Sequence, residues 1–357
     1  MKKIKVGIIF GGKSAEHEIS LQSAKNIFES IDRNKYEPIL IGIDKSGSWF
    51  LINKTKLIEI DRKTGQNITL IPHGDGKVIN LNTHKTIKLI DVAFPILHGP
   101  FGEDGTIQGL IKIANIPFVG ASILGSAIGM DKDVMKRLLR DAKIPIAKFL
   151  TIKIGETISY QEIVKKLGSP FFVKPANMGS SVGISKVENQ NDFKKSIHEA
   201  FAYDQKILIE ENIIGREIEC SILGNSKPIA SIIGEIIPHH NFYSYKAKYL
   251  DKQGATLQIP AKLSKNITKR IQGLAIKTFK TLECEGMARV DFFLKKNGSV
   301  IVNEINTIPG FTPISMYPKL WATSGISPAR LIDHLIQLAL ERFKNEQKLK
   351  NFVKIHP

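Results

Sequence analysis

The feature that most constrains this chain is the stretch from Arg289 to Gly310, RVDFFLKKNGSVIVNEINTIPG. Two apolar-rich runs flank Asn297-Gly298, the dipeptide best suited to a two-residue type I′ turn, in which both central positions need positive φ. The stretch therefore predicts an antiparallel hairpin. With Asn297 and Gly298 as the loop, Lys296 faces Ser299, and counting outward sets Phe293 opposite Val302, Asp291 opposite Glu304 and Arg289 opposite Asn306. Side chains alternate with period two, and directly opposed residues have Cβ atoms about 4.5 to 5.5 Å apart, so all four polar residues share one face. Two carboxylates held together beside an amide and a guanidinium repel one another unless a cation lies between them. Hard oxygen donors of this kind suit Mg²⁺ or Mn²⁺, which completes its shell with water and nucleotide phosphates. The alternative is a solvated hairpin edge whose arginine neutralises the acids. Pro309-Gly310 then makes a turn that aims a backbone N–H back at the same face.

A chain of 357 residues, 42% hydrophobic, carries two to three ordinary globular domains with a sizeable core. No apolar run reaches the length of a membrane span, and the basic-then-apolar MKKIKVGIIF is too short before GGKSAEHEIS to be a signal segment, so it reads as a first strand. Cys220 and Cys284 lie far apart and form no ligand-spaced cluster, which supports neither a disulfide framework nor structural zinc and fits a reducing cytoplasm. The net charge of +17 invites a nucleic-acid partner. Its lysines are spread along the chain, however, with no aromatic RNA-binding motif, zinc finger or recognition-helix pattern, so a solvated surface with some lysines serving a nucleotide is the better account.

Along the chain, Lys2 to Phe10 reads as a buried strand that turns at the glycines into a helix. A literal P-loop match from Gly7 to Ser14 is rejected, because Ile8, Ile9 and Phe10 belong to the strand where a phosphate cradle needs a loop. Residues 1–130 form βαβ-type units around a parallel sheet, interrupted by a polar insertion over 61–88. Asp131 caps a helix that opens a small α+β domain over 131–227. A third domain, 228–357, holds a tyrosine-rich loop, a long helix over 264–282, the acidic hairpin and a closing helix. The expected fold class is thus α/β and α+β in three domains.

In PFFVKPANMGSSVGISKV one strand delivers Lys174, and the small residues after it let backbone approach an anion; a flexible hairpin has the same appearance. Glu210 and Glu217 in KILIEENIIGREIE suit a ribose or an amino-purine edge, or simply face solvent. Glu16 and His98 stand at strand ends of the first domain, where open α/β sheets bind ligands. Each signal is weak alone, and their joint occurrence in this order carries the argument.

LHGPFGEDGT, FVKPANMGSSVG, YKAKY, RVDFFL and NEINTIPGFTPISMYP, together with GGKSAEHEIS, closely resemble the D-alanine-D-alanine ligases of the ATP-grasp superfamily over essentially the whole chain. The resemblance implies an ATP-grasp architecture: an N-terminal parallel-sheet substrate domain, a central lid and a C-terminal domain carrying the metal hairpin. It also implies ATP and two D-alanine molecules as substrates, two Mg²⁺ or Mn²⁺ ions, a cytoplasmic homodimer, and a dipeptide product for peptidoglycan. By position, Lys132 and Lys174 match lysines on the ATP phosphates, and Glu210 and Glu217 match residues on the adenine amino group and ribose. Asp291, Glu304 and Asn306 match the metal ligands. Arg289 and the Gly310 N–H match an oxyanion hole, Glu16 the partner of the first substrate's ammonium, His98 a neighbour of its carboxylate, and Ser315 the group on the second substrate's carboxylate. Ser180, Tyr249 and Glu16 resemble a hydrogen-bonded triad that pins a loop over the site, and Lys248 matches a ligand of the transferred phosphate. A different ATP-grasp ligase would keep the hairpin and lid but would have no reason to retain Glu16, His98 and Ser315 as a set.

Overall fold

The computed structural model describes residues 2–52, 60, 65–239 and 254–350, which build three sheets. The first strand, β1 (Ile4–Gly11), pairs in parallel with β2 (Tyr36–Ile43) and with β7 (Val92–Pro95). Val6, Ile8 and Phe10 face one core and Ile9 another, so β1 is buried on both sides and reads as the continuous apolar run that a central parallel strand requires. Helix α1 (His17–Ser30) follows the Gly11-Gly12 turn, where both glycines have positive φ, so the P-loop-like string is strand and turn as expected. The remaining strands differ from an all-parallel sheet. From β3 (Trp49–Ile52) through β4 (Gln66–Leu70) and β5 (Lys77–Asn80) to β6 (Thr86–Leu89), each strand adds antiparallel to the one before. The interval read as an insertion therefore supplies three strands that widen the sheet to seven. Helices α2 (Thr106–Ile113) and α3 (Ile123–Met130) complete the unit.

Helix α4 (Lys132–Asp141) starts where Asp131 accepts hydrogen bonds from the Asp133 and Val134 N–H groups. It leads into a four-stranded antiparallel sheet in the order β10 (Ser185–Val187), β9 (Phe171–Pro175), β11 (Lys206–Glu211), β8 (Phe149–Lys153). Helices α5 (Tyr160–Leu167) and α6 (Gln190–Phe201) cover this sheet, closing a small core around Ile163, Phe171 and Phe193.

The third sheet runs β14 (Ala255–Gln258), β13 (Ile229–Pro238), β12 (Arg216–Gly224), β15 (Gly286–Leu294), β16 (Val300–Asn306), all antiparallel. Because β12 pairs with β13 and β15, the chain enters this sheet at Arg216, ahead of the boundary expected at 227. Helix α7 (Lys265–Thr281) packs on one face, and α8 (Met316–Thr323) and α9 (Pro328–Glu346) follow the hairpin. Two contacts weld the first and third units. Phe94 of β7 meets Phe311, which packs on Tyr317 and through it reaches Trp321. Buried Arg342 of α9 donates to the Phe118 and Gly120 carbonyls, each at 2.7 Å. Among the described residues no helix is long and apolar enough to cross a membrane.

Candidate active site

The hairpin forms, but by a route the turn dipeptide did not reveal. Gly298 has φ +81°, whereas Asn297 is not in the positive-φ region, so the loop is not type I′. Lys295 N–H donates to Ser299 O and Gly298 N–H to Lys295 O, which makes a three-residue loop of Lys296, Asn297 and Gly298 with its glycine at the left-handed position. That loop shifts the near register by one: Phe292 faces Val302 and Phe293 faces Ile301, correcting the expected Phe293-Val302 pair. A bulge between Asp291 and Phe292, with Asn303 as the additional residue on β16, shifts it back. Beyond the bulge Asp291 lies opposite Glu304 and Arg289 opposite Asn306, the pairing that the simpler count also gave.

On this face the Arg289 guanidinium grips Asp291 with Nε and Nη2, each at 2.7 Å, and its Nε lies 2.9 Å from Glu219 Oε2. Asn306 Nδ2 donates to Asp291 Oδ2 at 3.0 Å. Glu219 pairs with Asp291 across β12 and β15, so Glu219, Asp291 and Glu304 form a row of acids across three strands. Burial alone pushes the Arg289 guanidinium down, but Asp291, then Glu219, with Glu304 further out, hold its pKa well above the usual arginine value. The carboxylates of Asp291 and Glu304 with the Asn306 amide are an all-oxygen donor set, which fits a hard divalent cation. Among the described residues no three His, Cys, Asp or Glu side chains converge as a metal site.

The loop after β16 brings the first-domain residues to this hairpin. Buried His98 binds the Ile308 carbonyl through Nδ1 at 3.1 Å and lies 3.4 Å from Ser23 Oγ through Nε2. Ser23 Oγ accepts from the Phe311 N–H at 3.1 Å. Glu103 accepts from the Gly99 N–H at 2.7 Å and is also held by the Ile308 backbone. Burial first, and then the charge of Glu16, raise the Glu103 carboxyl to about 8; burial pushes His98 down. Glu16, itself buried, accepts a short hydrogen bond from the Ser180 hydroxyl of the small sheet's loop. Gly99 and Gly179 pack against the same carboxylate, where an added Cβ would lie 3.2 Å from Glu16 Oε2 in each case. In the loop after β16, Ser315 Oγ accepts from the Thr312 N–H at 3.0 Å and pairs with Thr312 Oγ1 at 2.7 Å, while a Cβ on Gly310 would come within 2.9 Å of it.

The lysines approach from the other side. Lys132, buried at the start of α4, donates to Met178 O at 2.6 Å. Burial lowers its pKa, and the charges that act on it are Glu304, Lys174, Glu103 and Glu210, so it stands between the hairpin and the small sheet. Lys174 pairs with Glu210, whose other oxygen pairs with Lys136. The Glu210 carboxylate, expected to face a nucleotide, is thus engaged by two lysines. Glu217 shares the acidic face of β12 with Glu219. Tyr249 and Lys248 lie outside the described residues. Sequence reasoning missed Glu219, although Glu217 and Glu219 alternate along one strand face in EIECSIL. It also missed Glu103, inside the quoted LHGPFGEDGT, as well as Ser23 and Lys136, which carry no local signature.

A small lysine-bearing sheet set over an acidic hairpin of a larger sheet is the arrangement of the ATP-grasp enzymes. The family model described as D-ala D-ala ligase N-terminus matches residues 5–121, and the one described as D-ala D-ala ligase C-terminus matches residues 138–337. A D-alanine–D-alanine ligase of Oceanobacillus iheyensis is 54% identical over 363 residues, covering 98% of this chain and 99% of that protein. The solved D-alanine-D-alanine ligase from Coxiella burnetii superposes with a TM-score of 0.88 at 40% identity, covering 98% of this chain and 97% of the other. A Bacillus anthracis D-alanine–D-alanine ligase solved in complex with ATP gives a TM-score of 0.73 at 29% identity, over 96% and 99% of the two chains. The chain belongs to the D-alanine–D-alanine ligase family.

Proposed function

We infer that this site joins two molecules of D-alanine to D-alanyl-D-alanine with conversion of ATP to ADP and phosphate, for peptidoglycan precursor synthesis. The carboxylate of the first D-alanine attacks the γ-phosphorus of ATP, ADP departs, and an acyl phosphate remains. The amine of the second D-alanine then attacks that carbonyl carbon, a proton leaves the nitrogen, and phosphate is expelled. Glu16 pairs with the ammonium of the first substrate, and His98 lies by its carboxylate. Ser315 takes the carboxylate of the second. Arg289 and the Gly310 N–H face the oxygen that becomes negative in the second step, where preorganised donors contribute most. Lys132 and Lys174 take the ATP phosphates, and Glu210 and Glu217 flank the adenine and ribose. Lys248 reaches the transferred phosphate, and Tyr249 completes a triad with Ser180 and Glu16 that shields the acyl phosphate from water.

Asp291, Glu304 and Asn306 would hold two Mg²⁺ or Mn²⁺ ions, which when bound neutralise phosphate charge. The working protein is a cytoplasmic homodimer with three domains, 1–130, 131–227 and 228–357, the middle one acting as lid, with strand β12 of the middle stretch pairing into the third sheet.

One observation carries this reading. His98, Glu103 and Ser23 of the first unit fasten Ile308 and Phe311 on either side of Gly310, and the charge of Arg289 reaches His98 and Glu103 as well. The test is phosphate release from ATP and Mg²⁺ with the product identified by mass. Release that depends on D-alanine and yields the dipeptide is expected, whereas release driven equally by L-alanine or by RNA overturns the reading. Sedimentation of the purified protein tests the dimer.

A further inference from the structure

Lys136, one turn beyond Lys132 on α4, is fully buried. Its Nζ pairs with Glu210 Oε1 while Lys174 Nζ pairs with Oε2 of the same carboxylate. The Phe149 ring lies 5.8 Å away, closing the site on another side. In the β9–β11 register Lys174 faces Leu208 and Glu210 faces Phe172, so Lys174 and Glu210 stand on one face of the sheet, two positions apart. The two lysines differ in access: the Lys136 side chain is 0% exposed and that of Lys174 is 11% exposed. Lys174 can therefore turn outward to a ligand, and Lys136 cannot.

A buried carboxylate stripped of its only counterion is strongly destabilised. Were Lys174 that only counterion, moving it to a phosphate would leave Glu210 uncompensated, and ATP would have to compete for it. With Lys136 in place the carboxylate keeps a cation throughout. Burial by itself pushes Glu210 up, but Lys136 and then Lys174 outweigh it and hold its pKa down to about 2.

We propose that Lys136 is a positioning residue for the ATP half of the reaction: it neutralises Glu210 permanently and so frees Lys174 to exchange from Glu210 to a nucleotide phosphate. This rests on the reading of Lys174 as a phosphate ligand. Lys136 touches neither substrate nor nucleotide; it acts through Glu210 on Lys174.

The experiment measures kcat and the KM for ATP at saturating D-alanine in the full-length enzyme. Lys136→Met is expected to raise the KM for ATP roughly tenfold, the effect of one charge-assisted hydrogen bond withheld from the nucleotide, with kcat at saturating ATP changed far less. Lys136→Gln gives the same rise and serves if the methionine variant does not fold, and Lys136→Arg restores a value close to wild type. In a Glu210→Gln background, where no carboxylate captures Lys174, adding Lys136→Met changes the KM no further. An unchanged KM in both Lys136→Met and Lys136→Gln overturns the proposal. So does an equal rise with and without Glu210, which marks a packing effect. Lys174→Met is the separate control: an unchanged KM for ATP there refutes the phosphate role of Lys174 itself, irrespective of the Lys136 result.

Discussion

Ser180 donates its hydroxyl proton to the carboxylate of Glu16 across 164 positions of chain, tying the glycine loop of the small sheet to the N-terminus of α1. Ser180 holds this contact at φ +50° and its neighbour Ser181 at φ +60°, a region that non-glycine side chains enter rarely. The strain is sustained where the loop of the small sheet meets the first unit, and such strain persists only when surrounding contacts hold it. Ser180→Ala removes the donor and keeps the strain. Losing one such bond in a closed site costs ~1 to 3 kcal/mol, or about 5- to 150-fold in closure. The KM for D-alanine should rise more than the KM for ATP. Ser180→Gly should give the same kinetic loss with higher thermal stability than Ser180→Ala, because glycine accepts the positive φ. Equal KM values in wild type and both variants would show that the contact does not govern substrate capture.

The acids of the hairpin should respond differently to neutralisation. Asp291 is held by both guanidinium nitrogens of Arg289 and by Asn306, so Asp291→Asn weakens a mostly buried ion pair while Glu219 still partners the arginine. A loss of about 1 to 3 kcal/mol of stability is expected, below the value for an arginine left wholly unpaired. Glu304→Gln removes a like charge facing Asp291 and should change stability less. Both should depress turnover and move the Mg²⁺ dependence to higher concentration. Urea titrations without metal, paired with Mg²⁺ titrations of activity, check both halves. Wild-type metal response in both variants would refute the metal assignment.

The hairpin also shows what sequence can and cannot carry. Period-two alternation puts Arg289, Asp291, Glu304 and Asn306 on one face in any register that pairs them. The turn dipeptide does not distinguish a two-residue loop from a three-residue loop followed by a bulge, so the active pairs were legible while Phe293 and Val302 were not. Strand, helix and cap assignments such as Asp131 on α4 rested on local chemistry and could be read directly. Glu103, Lys136 and Glu219 could not, because each acquires its role from residues distant in sequence: Ile308, Glu210 and Arg289. That β12 joins the third sheet was not legible for the same reason, since only its pairing with β13 and β15 reveals it.

Glu103 gives the protein a measurable pH signature. Its carboxyl rises from an ordinary 4.5 to about 8, burial and the charge of Glu16 being the leading causes. The folded state thus keeps a proton that the unfolded chain releases above about 4.5, so stability contributed by this group is present at low pH and is lost as pH rises through about 8. At ~1.4 kcal/mol per pKa unit the full effect amounts to a few kcal/mol. His98 acts at the other end: its pKa is lowered by burial, so its contribution is present above the unfolded value of 6.5 and fades as pH falls. Glu103→Gln, which mimics the protonated acid, should exceed wild type in stability at pH 9 and lose that advantage by pH 5. Melting curves of both proteins across that range decide it, and parallel curves would mean that Glu103 is ionised throughout.

Gly310 is a glycine for reasons of space rather than backbone conformation. Its φ is not in the positive region, so alanine meets no backbone penalty there, yet its Cβ would lie 2.9 Å from Ser315 Oγ and 3.7 Å from Ser315 Cβ. The hydroxyl cannot move without loss, because it accepts from the Thr312 N–H and pairs with the Thr312 hydroxyl. Gly310→Ala should therefore displace Ser315 and break at least one of these bonds, lowering stability by ~1 kcal/mol, the usual net value of a hydrogen bond. The kinetic effect should fall on the second half of the reaction: higher D-alanine requirement and lower dipeptide yield, with the ATP dependence little altered. Ser315→Ala removes the obstructing oxygen along with the proposed carboxylate contact. The double variant Gly310→Ala with Ser315→Ala should thus be no less stable than Ser315→Ala alone, because the bonds that the clash would break are already gone, while remaining poor at dipeptide formation, a non-additive pattern expected of residues in contact. Initial rates against D-alanine, product mass and melting temperatures on the four proteins test this. If the two substitutions add independently in stability, the contact between Gly310 and Ser315 does not constrain the loop, and the glycine must be explained by the approach of substrate to its N–H instead.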